Sequence, residues 1–408
     1  DATDFVVAML DAHPDSAVQA STDGEFPLHA ACAAASSETI TPVLNMAKLV
    51  AKAKWRGALP LHLVLQGCAE LQAVTDVLLE YSAAVKEADH DGHYPLHYAC
   101  QAPTANILMS QIGFMLKTFP GAAHRLNRHG DYALHVAMRH YHVTHAADLV
   151  EKLVHEYPDA VKHALPGEPL PLYRALDQHM PRKVVHALAT AYPPALATQH
   201  YMSVFPLPLH RAIAESAPEE MVLHLLELAP DTAKVPVAGG TALHLAIIKH
   251  SSARVVKRIV ELDKEAAKMK HGGTNKRALS LALEHRAPPA VVVAVVEAYP
   301  HAVDWALSGG NNIILKGLRD EIDAVSLGAM LEAFPDGAKQ ADTDGRLPLH
   351  VALEHGCKSD VVAVLLKAFP GAAAVPTPEG RLPKDIVLDR GVDREVTDAV
   401  FSALHSGA

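Results

Sequence analysis

Cysteine is scarce. Four residues in 408, none in a C-x-x-C pair, exclude a secreted disulfide scaffold and fit a reducing compartment. Long apolar runs are missing too: no stretch approaches the ~20 consecutive apolar residues a membrane-spanning helix requires. Cations are outnumbered, 36 Lys and Arg against 46 Asp and Glu. The resulting net charge of -10 argues against nucleic acid or anionic lipid as the main partner, since phosphate binding needs clustered cations. An initiator methionine is also absent, and Asp1 reads as the start of a fragment or of a chain relieved of a targeting segment. What is abundant is apolar material, 50% of residues, enough for a large core and too much for a disordered chain. A compact chain of this length would split into two or three domains unless it were built from repeats.

It is built from repeats. One phrase recurs as Pro27-Leu28-His29-Ala30-Ala31, Pro60-Leu61-His62, Pro95-Leu96-His97-Tyr98-Ala99 and Ala133-Leu134-His135-Val136-Ala137. It continues at Pro171-Leu172-Tyr173, Pro208-Leu209-His210, Ala242-Leu243-His244, Ala278-Leu279-Ser280, Ile313-Ile314-Leu315, Pro348-Leu349-His350 and Pro383-Lys384-Asp385. The steps between third positions run from 33 to 38 residues, with a mean of 35.6. A second phrase is locked to the first: an apolar helical run ending in an aromatic and proline, as at Tyr157-Pro158, Tyr192-Pro193, Tyr299-Pro300, Phe334-Pro335 and Phe369-Pro370. Apolar residues at i, i+3 and i+4 within Val361–Leu366 give that helix one wide buried face, and the proline marks its end. Three residues before the anchor proline or its substitute stands a glycine, at Gly24, Gly57, Gly92, Gly130, Gly239, Gly310, Gly345 and Gly380. That placement predicts a turn with positive φ, followed by proline at the first helical position.

Each unit therefore reads as turn, helix, short link, helix, and resembles the ankyrin repeat with its G-x-T-P-L-H-x-A start. The resemblance covers essentially the whole chain. It implies an all-α repeat solenoid with protruding hairpin loops, non-catalytic and binding protein partners through its concave face and hairpin tips. One departure is systematic: the threonine before Pro-Leu-His survives only at Thr241, and the position is otherwise mostly apolar, as at Phe26, Leu59, Tyr94 and Leu347. Such residues would pack as a staple against neighbouring turns. A single domain over 1–408 is expected, with a partial unit at 1–20, stacked repeats over 21–379 and a capping repeat at 380–408. Stacked at roughly 8–10 Å per helix layer, it would form a curved rod on the order of 100 Å long.

Histidine is the compositional outlier, with 27 residues. In ankyrin proteins the anchor histidine bonds backbone across the loops, which implies structural roles for His29, His62, His97, His135, His210, His244 and His350. A second set, His140, His179, His250, His285 and His355, follows the first helices, where a cation meets the negative end of the helix dipole. Successive members should lie ~10 Å apart, too far to share a metal. One dense cluster, His140, His142 and His145 beside His135, is a candidate zinc site, though no acidic or thiolate partner adjoins it. Protonating all 27 would move the charge from -10 to +17, which predicts pH-dependent association near pH 6. Cys32 and Cys100 share a register filled elsewhere by Leu65, Met138 and Leu353, and read as small core residues. No P-loop, dinucleotide-binding or G-x-S-x-G motif is present, and no catalytic residue or cofactor is assigned.

The hairpin tips differ most between copies. Trp55, Arg56, His90, His93, Arg128, His129, Tyr201 and Met202 are the candidate partner-binding residues, because Trp, Tyr and Arg dominate binding energy at interfaces. Their alternative is packing onto neighbouring hairpins. The leading expectation is an intracellular scaffold or adaptor for unidentified proteins, with no nucleic acid and no membrane insertion. A structural subunit of a large, even organellar, assembly is one alternative; a metal- or pH-responsive regulator built on the histidines is another.

Overall fold

The computed structural model describes residues 8, 12–34, 37–67, 70–102, 109–141, 147–199, 205, 207–236, 239–303, 312–391 and 393–406. The chain divides into two compact units, Asp1–Ala195 and Leu196–Ala408. The described residues of both are helical repeats.

The first unit holds α1 (Pro27–Ala34), α2 (Ser37–Met46), α3 (Pro60–Gln66), α4 (Leu71–Glu80) and α5 (Pro95–Gln101). It continues with α6 (Met109–Thr118), α7 (Ala133–Arg139), α8 (Ala147–Glu156), α9 (Pro171–Asp177) and α10 (Arg182–Ala191). Odd-numbered helices open a repeat and even-numbered ones close it. First helices pack on their neighbours, α1 on α3, α3 on α5, α5 on α7 and α7 on α9. Leu61, Val64, Leu65, Val74 and Leu78 illustrate the core that each pair shares with the next. Burying one such side chain is worth about 1.5–3 kcal/mol, which a lone pair of helices could not collect.

The second unit holds α11 (Pro208–Ala214), α12 (Glu219–Leu228), α13 (Ala242–Ile248), α14 (Ala253–Leu262), α15 (Ala278–Glu284) and α16 (Pro289–Ala298). Then come α17 (Ile313–Arg319), α18 (Ala324–Ala333), α19 (Pro348–Glu354), α20 (Ser359–Ala368), α21 (Pro383–Arg390) and α22 (Arg394–Ser406). Its second helices pack in sequence from α12 to α22. The last repeat closes on Leu349, Leu353, Val362, Leu366, Ile386, Val387, Val396 and Val400.

The link between paired helices is a backbone cap. In six repeats the second residue past the helix end has φ between 49° and 67°: His179, Ser216, His250, Arg286, Glu321 and Gly356. The next N–H then reaches back to the first helix, as in Met180 N to Ala175 O at 2.9 Å and Ser251 N to Ala246 O at 2.9 Å. This is a Schellman closure. At these helix ends His179 and His250 occupy the left-handed position and His285 and His355 the position before it, while His140 closes α7 with φ -100°. Their expected ~10 Å spacing is corrected, because the His250 and His285 rings lie 5.9 Å apart, edge to face.

A further element went unread in the sequence. After several second helices an aromatic such as Tyr157 or Phe369 is followed by a proline that starts a 3₁₀ turn. These turns include Pro120–His124, Pro158–Lys162, Pro335–Ala338 and Pro370–Ala374. The proline ends one helix and begins another. Small residues such as Ala122, Ala123, Ala372 and Ala373 are buried in the turns, where larger ones would be pushed into the neighbouring helices.

Candidate interaction surface

The hairpins are short turns with little sheet character. Among the described residues the isolated bridges are Trp55 with Ala58 and Lys270 with Arg277. Seven of the eight turn glycines have φ between 71° and 101°, as their spacing predicts, and Gly310 lies outside the described residues. Five of the seven anchor histidines tie a hairpin to their helix. His62 accepts the Leu59 N–H at Nδ1 (3.1 Å), while Nε2 donates to the Glu87 carbonyl (3.1 Å). His29, His135, His244 and His350 repeat this to Ala53, His163, Met269 and Val375 at 2.9–3.1 Å. At Thr241 the hydroxyl joins in, 2.9 Å from His244 Nδ1, so loss of threonine elsewhere removes one bond and keeps the backbone one. His97 keeps the bond from Tyr94 N (3.0 Å), but its Nε2 and both nitrogens of His210 are buried without a partner among the described residues.

Burial depresses the basicity of these rings. It lowers His29, His62, His135 and His350, and brings His97, His210 and His244 down to about 4. In the folded chain the anchors therefore take up protons only at lower pH than free imidazoles, and contribute little to the charge swing near pH 6.

Three consecutive tips of the first unit bring candidate residues together. Trp55 is half-buried, its ring 6.2 Å from His29 and capped by the Arg56 guanidinium at 4.6 Å. Its indole Nε1 is buried and without a bond partner among the described residues. The next tip lies directly against it, since a Cβ on Gly57 would stand 2.9 Å from His90 Cβ. His90 is exposed, with Nε2 3.1 Å from Asp91. Arg128, from the third tip, pairs with Asp91 at 2.6 Å and donates to the His90 carbonyl; its own N–H reaches Asp91 O at 3.0 Å. His93 is a wedge between these two tips. Its Nε2 accepts from Asn127 Nδ2 at 3.2 Å, and its ring is 5.7 Å from the exposed His129.

The asparagine is oriented by its own turn. Asn127 Oδ1 accepts the His129 and Asp131 N–H groups, both at 2.9 Å, so the amide nitrogen must face His93. Burial lowers the His93 pKa; Asp89, Asp91 and Asp131 act against it and the His129 charge with it. Asp89 organises its own tip in the same way, accepting from Asp91 N, His93 N and the Tyr98 hydroxyl. Burial pushes the Asp89 carboxyl up, but those bonds outweigh it and the net direction is down.

Asp89 and Asn127 are turn-forming rather than interface residue types, and their role shows in the structure. The available signal was a small polar residue three before the glycine, at Ser21, Asp89, Asn127, Asp342 and Thr377. Also unread were ion pairs that join a hairpin arm to the end of the following helix eight residues on: Asp131–Arg139, Lys276–Glu284, Arg346–Glu354 and Arg381–Asp389.

Of the remaining candidates, Tyr201 and Met202 lie outside the described residues, as do His142 and His145 of the proposed zinc cluster. His140 is half-buried at the end of α7, its N–H bonded to Val136 O at 3.1 Å. Among the described residues no group of three or more His, Cys, Asp or Glu could hold a metal ion. Cys32 and Cys100 are buried core residues; burial pushes the Cys32 thiol up to about 12 and raises that of Cys100 as well. No helix of the described residues is long and apolar enough to cross a membrane.

No family model matches this sequence, and no curated protein does. Among solved structures the chain is similar to the ankyrin repeat domain of Bcl-3, at 17% identity and a TM-score of 0.41 over 57% of this chain and 98% of that one. It is also similar to the human ASB11 ankyrin repeat domain, at 19% identity and a TM-score of 0.40 over 59% of this chain and 98% of that one.

Proposed function

We propose that the chain is a non-catalytic scaffold or adaptor that binds partner proteins through its hairpin tips and the adjoining first helices. One observation carries this reading. On the 89–93 and 127–131 tips the turns are held by backbone, Asp89 and Asn127, while the imidazoles of His90 and His129 are exposed and make no side-chain hydrogen bond to a neighbouring repeat among the described residues. A side chain that the stack does not use is free to be chosen by a partner.

The test is affinity capture with the full chain, comparing wild type with a His90→Ala/His129→Ala double variant. Capture should weaken by about tenfold, equivalent to 1.4 kcal/mol, with a melting temperature within a few degrees of wild type. A Lys117→Ala control on the exposed side of α6 should capture normally. Equal capture by all three proteins would refute the assignment of these tips.

A further inference from the structure

Within a chain of net charge -10, residues 249–277 hold nine Lys and Arg against three Asp and Glu. The excess culminates in the hairpin at 268–277, where Lys268, Lys270, Lys276 and Arg277 accompany His271 and no acidic residue occurs. The described part of the preceding tip, Val235, Pro236 and Gly239–Thr241, is uncharged. The basic character is thus local to this hairpin.

Its shape is held independently of the lysine side chains. Lys270 and Arg277 form an antiparallel bridge, and His271 N donates to Lys276 O at 2.7 Å. Asn275 takes the left-handed conformation with φ 55°. Gly272 N donates to Gly239 O at 3.2 Å, fixing the hairpin to the tip before it. Three cations are partly engaged: Lys268 with Glu265 at 2.6 Å, Lys276 with Glu284 at 2.6 Å, and Arg277 with the Lys268 carbonyl at 3.1 Å. Lys270 is exposed and has no side-chain partner among the described residues. Beside it Met269 is 42% exposed, while its carbonyl serves His244. Two kinds of unspent affinity therefore meet on one rigid loop, a free ammonium group and a pliable apolar side chain.

The first unit supplies a parallel. Its 124–129 hairpin carries Arg125 and Arg128 around Leu126, which is 49% exposed. Among the described residues Leu126 and Met269 are large exposed hydrophobics on hairpin arms, and both have cations close by in sequence.

We infer that the 268–277 hairpin docks an extended acidic segment of a partner protein, with carboxylates facing Lys270 and its neighbours and an apolar side chain resting on Met269. This rests on the reading that tips contact partners and specifies the chemistry of one such contact. Charge complementarity supplies the approach and its salt dependence, and Met269 selects among acidic sequences.

The probe is a fluorescein-labelled Glu-rich peptide with one central leucine, titrated by anisotropy against the full chain. Binding should weaken by about tenfold between about 50 and about 200 mM salt. Lys270→Glu should cost about tenfold and Lys270→Gln a smaller factor, with unchanged circular dichroism. Met269→Ala should weaken the leucine peptide by about threefold and leave an alanine version of the peptide unaffected. No binding, equal binding by Lys270→Glu, or tighter binding of a DNA oligonucleotide of equal charge would each overturn the inference. Such a failure leaves the His90/His129 capture experiment untouched, and failure of capture leaves the peptide titration equally unaffected.

Discussion

His244 condenses the logic of the repeat into one side chain. Nδ1 closes the start of its own helix and Nε2 holds the carbonyl at the start of the next hairpin, so a single neutral ring fixes two elements. The neutral form is obligatory, and this sets a pH response. Burial holds His97, His210 and His244 at about 4, below the 6.5 of an unfolded histidine. The unfolded chain consequently binds more protons, and the stabilisation is complete above pH 6.5 and lost as pH falls from there to about 4. Each ring withdraws on the order of 3 kcal/mol over that span, and three together rival the whole stability of an ordinary domain. Urea midpoints should be flat from pH 8 to about 7 and fall steeply below about 6. Constant midpoints down to pH 4.5 would contradict the buried neutral assignment. The positions of the anchor histidines were legible from their period, and their bonding role from the resemblance to the ankyrin repeat. Their pKa values were not, because burial depends on the neighbouring repeat rather than on the local phrase.

The turn glycines look alike in sequence and differ in space. Gly24 and Gly57 have φ of 77° and 82°, but a Cβ on Gly24 meets nothing within 4 Å, whereas one on Gly57 would strike His90 Cβ at 2.9 Å. Gly24→Ala should cost about 1 kcal/mol, the left-handed penalty alone. Gly57→Ala should cost about 1–3 kcal/mol more, because the clash is with an atom fixed to the next tip's backbone. Thermal melts of the two variants decide the matter, and equal losses would mean the tips are not packed as described. Helix starts, helix ends and turn glycines were readable because proline, aromatics and glycine restrict the backbone directly. The 3₁₀ turns were hidden because Tyr157-Pro158 satisfies a helix end and a helix start equally well. Trp55 was ambiguous for another reason: its type suits an interface, and only the position of His29 reveals that it leans on the preceding repeat.

Over the whole molecule, each unit is a series of helix pairs in which first helices pack on neighbouring first helices and second helices on neighbouring second helices. Stability in such a chain is a sum of repeat and nearest-neighbour contributions. Tip residues outside that sum can vary without loss of fold, which is how a single architecture carries dissimilar loops such as 89–93 and 268–277. Hydrogen exchange of the full chain, with and without a captured partner and resolved by peptide, addresses this directly. The account predicts added protection at 54–58, 89–93, 127–131 and 268–277 and on the first helices, with α4, α6, α14 and α16 unchanged. Protection confined to those second helices, with the hairpins exchanging as freely as before, would contradict it.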